Sequence, residues 1–165
     1  MNISQQVPTY LFRTINEVEI HQVIGFIEAC FSGILSKEEY YAIHSQLSRS
    51  VAQDHLTSTY NIGCFSDGCL IGVGLYFIDY STICDSKTLT IEDIYIPQGK
   101  KGVTDAITYQ LARIAVLEQC DHIAWSTLDY PFTGQLQPNT DQCGNIARAR
   151  TYRLSGDALM ALAGF

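Results

Sequence analysis

The chain has 165 residues, 47% of them hydrophobic, and a formal net charge of −7 at pH 7. This length and apolar content predict one globular domain, residues 1–165, with a substantial core. Phosphate binding requires clustered lysine and arginine, so an acidic chain with only ten such residues argues against a nucleic-acid surface. The first twelve residues carry neither a basic leader nor a long apolar run, and no segment predicts membrane insertion.

The cysteines and histidines form no recognisable ligand or disulfide pattern. The six cysteines contain no CxxC pair, and the four histidines lack the spacing of metal ligands. We therefore expect reduced thiols, no metal site and a cytoplasmic location.

The first third of the sequence predicts one strand followed by two helices. Residues 9–15 are rich in β-forming side chains, and Asn16 can cap the helix that follows. Ser36 and Glu39 have the spacing of a capping box, which opens a second helix.

The remainder predicts a hairpin and then an alternation of strands and helices. The turn "SDG" separates "STYNIGCF" from "CLIGVGLYFIDY", as in a β-hairpin. Next come the strand "KTLTIEDIYI", the long helix "GVTDAITYQLARIAVLEQC" and the strand "DHIAWSTLDY". The chain closes with a short strand and a helix capped by Ser155, whereas residues 131–150 read as a loop. Up to "DHIAWSTLDY" the predicted order is βααβββαβ.

The junction "PQGKKGVTDA" joins a strand to the long helix and suits an anionic ligand. Unpaired backbone N–H groups at a helix N-terminus attract phosphate. Gly99 and Gly102 permit close approach of the backbone, and Lys100 and Lys101 add positive charge. An ordinary turn would explain the same glycines, because neither GxGxxG nor GxxxxGK[ST] is present.

The segment "LTIEDIYIPQGKKGVTDAITYQLARIAVLEQCDHIAWSTLD" resembles the cofactor-binding half of the GNAT superfamily of acyl-CoA-dependent N-acetyltransferases. "GVGLYFIDYSTICDSKTLTIEDIYI" resembles the diamine (spermidine/spermine) acetyltransferase branch, and "YRLSGDALMALA" resembles the tail of many bacterial members. The resemblance covers Gly72–Leu128 and Tyr152–Ala163. It implies an α/β (α+β) GNAT fold, in which helices flank a mostly antiparallel sheet that is splayed between its fourth and fifth strands.

The resemblance also implies acetyl-CoA, or another acyl-CoA, as cosubstrate. Pantetheine would lie like an added strand beside Ile94, Tyr95 and Ile96. The pyrophosphate would lie over the loop, whose implied contacts are Gly99, Lys100, Lys101, Gly102, Val103 and Thr104. This loop departs from the family pattern because it is one residue short and has Thr104 where a small residue is usual.

The expected catalytic residues follow the family pattern only in part. Relatives carry a general-acid tyrosine where this chain has Gln137 and Pro138, and Tyr130 is the nearest phenol, either a stand-in acid or a packing residue. Glu92 matches the glutamate thought to take the proton of the amine, although a purely structural carboxylate is the alternative. Asp93 would face the other side of the strand if alternation holds, and it is expected to make structural hydrogen bonds.

The leading interpretation is acetyl transfer from acetyl-CoA to a small primary amine, polyamine- or diamine-like, by direct attack in a ternary complex. A backbone N–H near Ile94 would polarise the thioester carbonyl. One alternative is a GNAT-fold enzyme with another acyl donor or acceptor, and another is a non-catalytic binding protein. Relatives often form homodimers, so the resemblance implies a homodimer. The apolar ending "ALMALAGF" is either such a contact surface or a segment that packs on its own sheet.

Overall fold

The protein is known from a computed structural model that describes residues 9–30, 36–52, 59–97, 100–127 and 150–165. These ranges contain ten main elements, which we label in chain order: β1 (Leu11–Arg13), α1 (Ile20–Cys30), α2 (Lys37–Ala52), β2 (Thr59–Ser66), β3 (Cys69–Ser81), β4 (Ser86–Tyr95), α3 (Lys101–Leu117), β5 (His122–Thr127), β6 (Arg150–Ser155) and α4 (Gly156–Ala163).

The six strands form one sheet in sequence order, from β1 to β6. Every neighbouring pair is antiparallel except β4 and β5, which are parallel and joined by the crossover helix α3. The predicted order of elements is confirmed, although β1 spans only three residues of the predicted 9–15. None of the helices in the described ranges is long and apolar enough to span a membrane.

Two local predictions from the sequence are confirmed. In the hairpin turn between β2 and β3, Asp67 and Gly68 both have positive φ, 50° and 78°, as a two-residue turn between right-twisted strands requires. At the start of α2, the Glu39 N–H donates to Ser36 Oγ at 3.2 Å and the Ser36 N–H donates to the Glu39 carboxylate at 2.8 Å.

The sheet buries apolar side chains on both faces. On one face, α3 and α4 cover a cluster that includes Leu89, Ile107 and Ile123. On the other face, α1 and α2 cover a cluster that includes Leu47 and Leu75. The sheet thus holds the start of α3 on one side and α2 on the other.

A buried amide ties α2 to the sheet. Asn61 of β2 is only 3% exposed; its Oδ1 accepts from the Ile15 N–H at 2.6 Å and its Nδ2 donates to Ser50 Oγ of α2 at 3.0 Å. Buried polar groups are stable only when they are bonded in this way. Asn61 therefore fixes α2 and the segment after β1 relative to β2.

Candidate functional site

The sheet opens between its two parallel strands. Residue pairs join β4 to β5 from Thr88 and His122 as far as Ile91 and Trp125, where the described pairing ends. Both strands continue beyond this point. β4 runs to Tyr95 and stays paired with β3, whereas β5 runs to Thr127 and stays paired with β6. The predicted splay between the fourth and fifth strands is confirmed, and it leaves β4 backbone that an extended ligand can pair with as an added strand.

A β-bulge lies in β4 where the splay begins. Opposite it, Tyr76 pairs with Ile91 and the adjacent Leu75 pairs with Asp93, so Glu92 is the extra residue. A bulge breaks the alternation of side chains and turns two successive residues toward one face. Ile91 and Ile94 consequently both face α3.

The bulge places two adjacent carboxylates on the α1/α2 face of the sheet. Glu92 is exposed, and its Oε1 accepts a hydrogen bond of 2.7 Å from Gln46 Nε2 of α2. Asp93 is half-buried, and its carboxylate accepts a hydrogen bond from the Tyr95 hydroxyl. Tyr95 itself packs in the α1/α2 core cluster.

Burial raises the pKa of Asp93 to about 6, because the charged form loses solvation. The Tyr95 hydrogen bond opposes this shift and the charge of Glu92 adds to it. Burial also raises the pKa of Tyr95. Asp93 can therefore change its protonation state close to neutral pH.

The expectation that Asp93 faces away from Glu92 is wrong. It assumed regular alternation, and the extra residue in the bulge shifts the alternation by one position. A signal was present in the sequence: Leu89 and Ile91 are two apart, Ile91 and Ile94 are three apart, and Ile94 and Ile96 are again two apart. The slip of one residue in the apolar period marks the bulge.

The start of α3 offers backbone donors at the open end of the site. Lys100 is the N-cap and makes no side-chain capping bond, so no side chain at the cap position competes for the first N–H groups. Gly102 in the first turn is exposed; among the described residues outside the helix's own backbone, a Cβ placed there would have only Tyr10 Oη within 4 Å, at 3.9 Å. An anion can therefore approach this turn closely.

Three buried polar atoms on α3 and β5, among the residues that the structure describes, have no hydrogen-bond partner. In the described ranges these atoms are Thr104 Oγ1, Thr108 Oγ1 and Trp125 Nε1. The two threonines lie one turn apart at the start of α3, and Trp125 lies in the last β4–β5 pair. The residues present fit a ligand with an anionic end and an amide-containing arm. The Lys100 side chain makes no capping bond, the described β4–β5 pairing ends at Ile91, and both α3 and β5 carry unpartnered buried polar atoms.

The predicted site residues that the structure describes lie at the end of β4, buried in the first turns of α3, or exposed at the start of α3. Ile94 faces the α3 cluster, Ile96 packs against it, and Tyr95 faces α1 and α2. Val103 and Thr104 are buried in the first turns of α3, so Thr104 does not project a side chain into the solvent in front of the helix. Lys100 is exposed beside Gly102.

The positions of some predicted site residues are not described. Gly99, Tyr130, Gln137 and Pro138 lie outside the described residues, and for Lys101 only the backbone is described. The sequence reasoning predicted structural hydrogen bonding for Asp93 but not its partner, Tyr95, nor a place for Asp93 in the site. It also missed Gln46, whose contact with Glu92 joins residues 46 positions apart and has no local signal.

Comparison with known proteins supports the same architecture. The AAC(6')-Iy aminoglycoside N-acetyltransferase in complex with CoA superposes with a TM-score of 0.57 over 77% of this chain and 82% of that chain, at 18% identity. An acetyltransferase assigned to the GNAT family from Desulfovibrio desulfuricans superposes with a TM-score of 0.60 over 74% of this chain and 76% of that chain, at 13% identity. This chain has the GNAT fold. The parallel β4–β5 pair and its splay are the part of the GNAT fold that carries the candidate site.

A sequence relative is known as well. The thialysine N-epsilon-acetyltransferase of Sus scrofa is 28% identical over 101 residues, which cover 58% of this chain and 59% of that protein. The chain thus matches little more than half the length of this relative. No family model matches the sequence.

Proposed function

We propose that this GNAT-fold protein is an acetyl-CoA-dependent N-acetyltransferase that acts on a small primary amine. The observation that carries the proposal is the splay after Ile91 and Trp125, with free β4 backbone, a carboxylate pair on one side and the uncapped start of α3 on the other. A thioester and an amine need to meet in one place, and this arrangement provides a distinct region for each.

The cofactor region consists of the end of β4 and the first turn of α3. The backbone of Ile94 to Ile96 would pair with pantetheine, and the first turn of α3 from Gly102 to Thr104 would hold the pyrophosphate with Lys100 beside it. The Gly102 N–H would be one donor, whereas the Val103 N–H already donates to the Lys100 carbonyl at 2.9 Å. Gly99 and Lys101 complete the proposed loop. Acyl-CoA supplies the activated acyl group when it is bound.

The catalytic region consists of the bulge and its neighbours. Glu92 projects from the α1/α2 face, where Gln46 fixes its carboxylate. An ammonium ion is not nucleophilic, so a carboxylate beside it has to accept or relay a proton before attack. The Ile94 N–H lies two residues further along β4 and would polarise the acyl carbonyl. Tyr130 stays in the proposal as the stand-in general acid.

The acceptor is proposed as a small primary amine of polyamine or diamine type. The pig relative is named for acetylation of thialysine, and AAC(6')-Iy for acetylation of aminoglycosides. Both names denote acceptors that carry amines. The formal charge of −7 is consistent with attraction of a cationic acceptor.

The test combines binding and turnover. Calorimetric titration with acetyl-CoA and with free CoA measures binding, and thiol release over an amine panel measures turnover. We expect micromolar binding of both, and thiol release with at least one amine that Glu92→Gln lowers by about 10²-fold. The control is Glu38→Gln, an exposed carboxylate at the start of α2, which should behave as wild type.

Three other results would change the proposal. Failure to bind any CoA species would indicate a non-catalytic module that keeps the fold. Binding of a different acyl-CoA, or turnover only with acceptors that lack a primary amine, would indicate an altered enzyme. Wild-type turnover in Glu92→Gln would assign Glu92 a structural role.

A cytoplasmic homodimer is part of the same proposal. In the described part of the chain, β6 is the last strand of the sheet, and Met160 and Phe165 are exposed at the adjacent C-terminal end. These features suit contact with a second copy. Light scattering on the purified protein distinguishes a dimer from a monomer.

A further inference from the structure

We propose that the protein docks a basic segment of a partner protein on the surface where the sheet extends beyond the C-terminal end of α3. The segment would carry lysine or arginine side chains interspersed with apolar ones. This surface, which we call the basal patch, presents exposed apolar side chains among exposed carboxylates, and its members are Tyr60, Tyr80, Asp85, Leu117, Glu118 and Asp121. The inference does not rest on the proposed function.

The basal patch lies on the α3/α4 face of the sheet, at the end of β4 opposite to the splay. The described pairing of β2 with β3 begins opposite Phe77, whereas β3 and β4 stay paired as far as Ser81 and Ser86. α3 ends at Leu117, so it does not cover this two-stranded ribbon. The splay is roughly 20 Å away along β4, at about 3.3 Å per residue. A ligand on the patch would therefore not contact the proposed acyl-transfer site.

Two stacked tyrosines form the inner part of the patch. Tyr60 of β2 lies opposite Tyr76 of β3, with ring centroids 5.4 Å apart and an interplanar angle of 23°. The pKa of the buried Tyr76 is raised to about 12, mainly by burial and to a smaller extent by Tyr60 and by the charge of Glu118. Tyr60 is 43% exposed. Its ring therefore offers solvent an aromatic surface close to a carboxylate.

The outer part of the patch combines an exposed phenol with carboxylates. Tyr80 is 59% exposed, and its hydroxyl donates to the Asp85 carboxylate. Lys87 lies opposite Tyr80 in β4, and its Nζ donates to the Glu118 carbonyl at 2.6 Å. The Lys87 N–H donates to the Asp121 carboxylate at 2.7 Å. Lys87 thus joins the ribbon to the end of α3, and in these described contacts one ammonium group faces three carboxylates.

The chemistry of the patch determines what fits it. The carboxylates outnumber the single ammonium group, and the C-terminal end of α3 adds partial negative charge from its carbonyls. The exposed tyrosine rings attract cations to their faces. Leu117, which is 68% exposed, adds apolar surface beside them. A purely ionic ligand would leave that apolar surface in water, whereas a segment with both basic and apolar side chains would complement both.

Three synthetic peptides of equal length test the inference on the full chain. In the first, lysine alternates with valine; in the second, glutamate replaces lysine; in the third, serine replaces valine. Fluorescence anisotropy measures each Kd at low and at high salt, and amide NMR shifts locate the bound peptide.

We expect the lysine–valine peptide to bind, with amide shifts in the β3–β4 ribbon and at the end of α3. High salt should weaken its binding because the charges on the patch are exposed. The glutamate–valine peptide should not bind, because like charges face each other. The lysine–serine peptide should bind more weakly than the lysine–valine peptide, because it buries less apolar surface.

Two variants separate the two components of the patch. Glu118→Lys reverses a charge at a helix C-terminus, where a cation is tolerated, and it should raise the Kd of the lysine–valine peptide by about tenfold. Leu117→Ser removes exposed apolar surface and should raise this Kd by about threefold. The controls are Glu28→Lys, in the last turn of α1 on the opposite face of the sheet, and Val18→Ser, at a residue that is 89% exposed. Both controls should bind as wild type does.

Several results would overturn the inference. Equal binding of the lysine–valine and glutamate–valine peptides would do so, as would wild-type affinity in Glu118→Lys or shifts confined to other elements. Equal affinity for the lysine–serine and lysine–valine peptides, with full displacement of both by spermidine, would indicate a site for small cations instead of a docking surface. Concentration-dependent shifts of the patch without peptide would assign it to contact with a second copy of the chain.

Discussion

Replacement of Gly102 by alanine should make the protein more stable and its binding of acyl-CoA weaker. In the part of the chain that the structure describes, the nearest atom to a Cβ at this position, apart from the helix's own backbone, is Tyr10 Oη at 3.9 Å, so the methyl group fits there without strain. Alanine loses less backbone freedom than glycine on entering a helix, and we expect a gain of about 0.5–1 kcal/mol in the free energy of unfolding.

The same methyl group occupies the space through which a phosphate would approach the first turn of α3. Loss of close contact with one or two backbone N–H groups would weaken binding of acetyl-CoA and of free CoA alike. We expect a change of about 1.4 kcal/mol, which is about tenfold in Kd.

The matched control is Gly25→Ala. Gly25 is exposed inside α1, and a Cβ there meets no atom of the described ranges within 4 Å outside its own helix backbone, so this variant should show the same gain in stability with unchanged binding. Urea denaturation and calorimetric titration measure the two quantities. If Gly102→Ala bound CoA as tightly as wild type, phosphate would not lie at the start of α3 and the proposed cofactor region would be wrong.

Three other predictions concern the scaffold around the site. Asn61→Leu leaves the buried Ile15 N–H without the acceptor that Asn61 provides. Urea denaturation should therefore show a decrease of about 2–3 kcal/mol in the free energy of unfolding. Wild-type stability would contradict the role given to this amide. Gly72→Ala places a Cβ 2.7 Å from a side-chain carbon of α3, and it should lower the free energy of unfolding by about 1–3 kcal/mol unless α3 can shift. Glu19 has its pKa lowered to about 2 by its hydrogen bonds with Arg13 and with the backbone, so its contribution to stability is present above pH 4.5 and is lost as the pH falls toward 2. Glu19→Gln should therefore be less stable than wild type at pH 7. The difference in the free energy of unfolding should be less than about 1 kcal/mol, because the ion pair with Arg13 is partly exposed. This difference should shrink below pH 4.5.

The fold was accessible from the sequence because its signals are local. The Ser36–Glu39 spacing, the Asp67–Gly68 turn and the apolar periods of the strands each determine an element within a few residues. The order of these elements, together with the resemblance, was sufficient to predict the splayed sheet.

The site was accessible only in part because its chemistry depends on contacts between distant residues. Glu92 could be selected from its motif, but its partner Gln46 lies on another element. The environment of Asp93 depends on a bulge, on burial by α1 and α2, and on Tyr95, and the pKa shift that results has no signature in composition. Tertiary structure creates the burial and the pKa shift. Asp93 was assigned to the wrong face for a different reason, because regular alternation was assumed although the apolar period slips by one residue between Ile91 and Ile94.

The most direct test of the central claim is to follow the acetyl group itself. The purified protein is incubated with acetyl-CoA labelled in the acetyl group and with a panel of small primary amines, while free thiol and acetylated amine are both quantified. We expect one labelled amide for each thiol released with at least one amine, and a decrease of both signals by about 10²-fold in Glu92→Gln. Folded protein that binds CoA but transfers no label to any amine would contradict the account.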